Sequence, residues 1–83
     1  MITSKSIVST NYMLDISAKK LIKIMDKDVS CYAPLYILLA NIKGVFGAEY
    51  DGHFGPHIFF SVEIENDDAE TWKSIYDTVE NYL

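Results

Sequence analysis

Between Val45 and Glu65 apolar and polar residues alternate in steps of two, and on either side of that stretch they recur in steps of three and four. Phe46, Ala48 and Tyr50 stand against Gly47, Glu49 and Asp51. Ile58, Phe60, Val62 and Ile64 stand against Phe59, Ser61, Glu63 and Glu65. A period of two belongs to a strand with one buried face, so the pattern predicts an antiparallel hairpin over about 45–65. The connection read from Gly52 to Pro56 is longer than a two-residue turn, with Gly52, Gly55 and Pro56 to bend it.

Three helices are predicted from the other period. Ala18, Leu21, Ile22 and Met25 follow the spacing i, i+3, i+4, i+7 behind Asp15 as N-cap, which predicts a helix over about 16–27 with Lys19, Lys20, Lys23 and Lys27 on its wet side. Leu35, Leu38, Leu39 and Ile42 repeat that spacing between Pro34, suited to a first turn, and Gly44, placed as a C′ glycine. After Asn66 or Asp67 as cap, Ala69, Trp72, Ile75, Tyr76, Val79 and Leu83 form the stripe of a last helix. Ile7 and Val8 offer a short N-terminal edge strand within residues 1–12.

The resulting expectation is a single α+β domain over 1–83, a small antiparallel sheet packed on one face by three helices in the order β-α-α-β-β-α. No residues remain for a fourth strand. Leu38, Leu39, Phe60, Val62, Trp72 and Ile75 are the predicted centre of the core.

Charge divides the chain in two. Met1 to Lys43 carries six Lys against three acids, a net +3; Gly44 to Leu83 carries nine acids against Lys73, a net −8. Arginine is absent. Without that bidentate phosphate donor, and with a net charge of −5, direct nucleic-acid binding is not expected. No apolar run has the length of a membrane span and MITSKSIVST lacks the features of a secretory leader, so a cytoplasmic chain without membrane contact is expected. Cys31 is the single cysteine, which leaves no internal disulfide.

The candidate chemistry is sparse. Asp51, His53 and His57 have metal-ligand side chains, but Gly55 and Pro56 break the helical His-x3-His geometry, so no metal and no cofactor are expected. Cys31 before a helix reads as a small hydrophobe rather than a nucleophile. Glu49, Asp51, Glu63 and Glu65 share the outer hairpin face by parity, where solvent keeps carboxylates from general acid–base work, and no catalytic residue is expected. The glycines match neither phosphate-loop spacing.

The sequence therefore points to a small acidic, non-enzymatic interaction or inhibitor protein. Its expected binding residues are Glu49, Asp51, Phe54, Phe59, Glu63, Glu65, Glu70, Asp77 and Glu80, and its expected partner is a basic protein surface. A nucleic-acid-binding protein is the natural target, as for phage or mobile-element anti-defence inhibitors and for immunity or antitoxin proteins as classes. The competing expectation is a small homo-oligomeric, in the simplest case dimeric, ligand-binding or regulatory domain.

Overall fold

The computed structural model describes residues 2–8, 11–17 and 33–82. Strands β1 (Ile2–Val8), β2 (Asn11–Ser17), β3 (Val45–Phe54) and β4 (His57–Ile64) form one antiparallel sheet in the order β1-β2-β4-β3. Helices α1 (Ala33–Ala40) and α2 (Ala69–Tyr82) cover one face of it. The class is α+β as the periodicities predict. The sheet has one strand more than predicted, and the described residues contain two helices where three were predicted.

The additional strand is β2. Asp15, read as an N-cap, and Ile16 and Ser17, read as the start of a helix, are all strand residues, with Asp15 opposite Ser4 on one side and Phe59 on the other. Tyr12, Leu14 and Ile16 alternate with Asn11, Met13 and Asp15. Leu14 faces Phe60 and Ile16 faces Ile58 across the sheet, and all four are fully buried, so tertiary burial decides the conformation over local helix signals. The remainder of the helix predicted over 16–27, and Cys31, lie outside the described residues.

β4 is flanked on both sides, and its even positions Ile58, Phe60, Val62 and Ile64 all enter the core. Leu35 and Leu39 of α1 and Trp72, Ile75 and Val79 of α2 close over them. Leu38 is the exception among the predicted core residues. It is 48% exposed, because the side of α1 that meets the core runs through Leu35, Leu39 and half-buried Tyr36, and Leu38 falls on the flank away from Tyr36. Ile37 beside it is equally exposed.

The hairpin departs from simple alternation at two places. Register shifts fall between Val45 and Gly47 and between Tyr50 and Gly52, which makes Phe46 and Asp51 inserted residues without a cross-strand partner. Phe46, predicted on the inner face with Ala48 and Tyr50, is consequently 68% exposed, and half-buried Val45 takes the inner position opposite Ile64. Gly52 belongs to β3, so the connection is the two-residue turn Gly55–Pro56 and not a loop from Gly52. Gly55 has φ +55°. Proline cannot take positive φ, so a II′-type turn with glycine first is the hairpin turn open to this pair.

Gly44 closes the layer between α1 and β3. The helix ends at Ala40, and three more residues turn through backbone bonds from Asn41, Ile42 and Val45 to Leu38, Leu39 and Ile42 before Gly44 adopts φ +94°. A Cβ on Gly44 would lie 2.9 Å from Thr71 Oγ1 on α2.

Urea melts of alanine variants test this arrangement. Leu39→Ala and Phe60→Ala should each lose about 2–5 kcal/mol, whereas half-exposed Leu38→Ala should lose about 1 kcal/mol or less. Gly44→Ala should lose about 1–2 kcal/mol from its positive φ alone, with Gly47→Ala, whose Cβ would meet nothing within 4 Å, near neutral. Equal losses at Leu38 and Leu39 would place the wrong face of α1 against the sheet.

Candidate interaction surface

Residues 45–65 hold four carboxylates, Glu49, Asp51, Glu63 and Glu65, and neither lysine nor arginine. All four are exposed. The strand register determines which of them meet. Glu63 faces Gly47 on β3 and Asn11 on β2, Glu49 faces Ser61, and Glu49 and Glu63 together rim a shallow outer-face depression floored by Gly47 and Ser61. Phe46 is the inserted residue immediately before Gly47, so an exposed phenyl ring stands at the acidic end of the hairpin. Alternation assigned that ring to the core. The signal for the bulge was Gly47 itself, since an isolated glycine within a strand pattern marks such an insertion.

Glu65 lies just beyond β4, where its backbone N–H donates to the Gly44 carbonyl at 2.9 Å. That bond brings it to the start of α2, and Glu65, Glu70, Asp68, Thr71 and Ser74 line one cleft together with Lys43. The cap of α2 is Asp68, not Asn66 or Asp67. Its carboxylate accepts the Thr71 N–H at 2.7 Å, satisfying an N-terminal donor of the helix. This hydrogen bond, with a second from the Thr71 side chain, holds the Asp68 carboxyl below the usual aspartate range. Asp67 instead accepts the indole N–H of Trp72.

The remaining predicted residues are dispersed. Asp77 and Glu80 are exposed on α2 opposite Trp72, Ile75 and Val79. Since α2 covers the inner face of the sheet, its solvent stripe looks away from the outer face carrying Glu49 and Glu63. Asp77 also meets Lys73 at 3.3 Å, an exposed i, i+4 pair. Phe54, 80% exposed, and Asp51 lie toward the Gly55–Pro56 turn; Phe54 pairs with His57, about 20 Å along β4 from Glu63. Phe59 is half-buried and stacks on the His57 ring, with centroids 6.3 Å apart.

The histidines of the hairpin turn go to separate partners. His53 Nδ1 lies 2.8 Å from the Tyr50 hydroxyl, and His57 Nδ1 lies 2.8 Å from Asp15 Oδ1 on β2. Among the described residues no three His, Cys, Asp or Glu side chains are grouped to hold a metal ion.

The depressed Asp68 carboxyl has a consequence for stability. A folded-state value below the unfolded one adds stability that is complete above about pH 4 and disappears as pH falls through the folded value. In thermal melts from pH 7 to pH 2, Asp68→Asn should keep most of the cap but lose this part of the acid-side decline, and Asp68→Ala should melt lower at every pH. Identical acid limbs for wild type and Asp68→Asn would remove Asp68 as a contributor.

No family model, curated protein or solved structure matches this chain, so the reading of its surface rests on geometry and charge.

Proposed function

We propose that this is a non-enzymatic interaction protein that uses the acidic end of its hairpin to bind a basic surface on another protein. The observation that carries the reading is Phe46, lifted out of the sheet by a bulge beside the Gly47–Glu63 pair, on a hairpin that carries Glu49, Glu63 and Glu65 and has no lysine between residues 45 and 65. Carboxylates of one sign accelerate encounter with a positive surface, and an exposed aromatic ring supplies an anchor that becomes desolvated on docking. Nucleic-acid-binding proteins carry positive surfaces of this kind, shaped for an array of phosphates, and are the partner class we favour. Phe46 replaces Phe59 as the anchor, because Phe59 is already covered by its contacts within the sheet.

Bulges support this reading over self-association through strand edges. β3 is the outer strand on one side and has two bulges; β1 is the outer strand on the other and has a register shift between Ile2 and Ser4. Bulged, charged edges resist pairing with further strands.

The test is affinity capture from source-cell extract at increasing salt, comparing wild type with Glu49→Lys, Glu63→Lys, Glu65→Lys. Wild type should retain a basic protein whose association slows as salt rises, and the triple variant should lose it while melting normally. Phe46→Ala should mainly speed dissociation. Undiminished capture by the triple variant would exclude the acidic end as the binding surface, and a salt-insensitive dimer by sedimentation would favour the homo-oligomeric alternative.

A further inference from the structure

At the opposite end of the charge distribution, one lysine of the basic half is folded onto an aromatic corner of the acidic half. The β1–β2 register places Lys5 opposite Leu14, on the inner side of the sheet, and its Nζ lies 3.7 Å from the centroid of the Trp72 ring on α2. Tyr12 meets the same indole edge-on at 5.0 Å and 79°, and Tyr76 tilts against it at 6.2 Å. The indole is fixed from behind. Its N–H donates to the Asp67 carboxylate, which also accepts the Tyr12 hydroxyl. An open groove of about 530 Å3 continues from this corner, lined by Lys5, Asp67, Asp68, Ala69, Trp72 and Tyr76 together with Lys73.

Trp72 is only 5% exposed with Lys5 in place, yet Lys5 itself is exposed and belongs to an outer strand. Among the described residues its ammonium forms no ion pair, so the ring face is its partner there. An aromatic face attracts an alkylammonium whichever chain supplies it. We propose that the Trp72 corner is a lysine-accepting pocket, closed in the free protein by the chain's own Lys5 and open to a lysine side chain of a basic partner that displaces it. Two carboxylates, Asp67 and Asp68, line the groove, while Lys73 is held by Asp77. The proposal deepens the reading given above, since it requires that the partner surface be basic, but the pocket is testable without that partner.

Trp72 is the only tryptophan of the chain, so fluorescence excited at wavelengths where tryptophan but not tyrosine absorbs reports this site alone. Nα-acetyl-lysine amide is titrated into wild type and Lys5→Ala at constant ionic strength, with Nα-acetyl-norleucine amide as the uncharged counterpart. The lysine probe should change Trp72 emission saturably in Lys5→Ala and at least about tenfold more weakly in wild type, because Lys5 already occupies the ring. The norleucine probe should do neither. Circular dichroism checks the fold, and Lys5→Gln serves if Lys5→Ala does not keep it. Absence of a saturable response in the folded variant, or equal responses to both probes, overturns the pocket and leaves the acidic hairpin to its own charge-reversal test. Lysine binding that persists when charge reversal of the hairpin has no effect upholds the pocket and removes the hairpin.

Discussion

The structure depends on covering both flanks and one face of β4. Ile58, Phe60, Val62 and Ile64 make a continuous apolar row, covered by residues of β2, β3 and the two helices. β2 and β3 satisfy the hydrogen bonds at its edges, Leu14 and Tyr50 lie to either side of Phe60, and the two helices supply Leu39 and Ile75 from above. Burying one such side chain contributes about 1.5–3 kcal/mol. For a domain of this size, with total stability of about 4–12 kcal/mol, the row accounts for the choice of β2 as a strand against its local helix signals.

The same constraint explains the surface. A strand that must keep Ala48 and Tyr50 under the helices while Val45 also faces Ile64 needs one extra residue, and Phe46 is that residue. Its exposure is thus the counterpart of a well-packed inner face. The second bulge, at Asp51, does the same for the end leading to the turn, and together they leave β3 a poor edge for further strand pairing. What remains available there is side-chain recognition, by one ring and several carboxylates.

How much was legible in the sequence follows from which interactions are local. Leu39, Phe60, Val62, Trp72 and Ile75 were readable as core because each lies on a clean period of 3.6 or 2, and the outward direction of Glu49 and Glu63 comes from the same alternation. β2 was not readable, because Asp15 imitates a cap immediately before a helical spacing and the β4 residues that bury Leu14 and Ile16 are more than forty residues away from them. Counting in twos cannot detect an inserted residue, which is why Phe46 was assigned inward despite the warning in Gly47. The separation of Asp77 and Glu80 from the hairpin acids was implied by the apolar stripe of α2, since a helix lying on the inner face turns its charges the other way. The contact between Lys5 and Trp72 needed the β1–β2 register and left no trace in spacing.

The central claim is that the bulged, acidic end of the hairpin is where another protein docks. A photo-crosslinking p-benzoylphenylalanine placed at position 46, irradiated in source-cell extract at low salt, interrogates that spot directly. The account predicts a covalent adduct with a protein rich in surface lysine and arginine, reduced when salt is raised before irradiation. Adducts only with a second copy of the chain, or with the same proteins at every salt concentration, would contradict it.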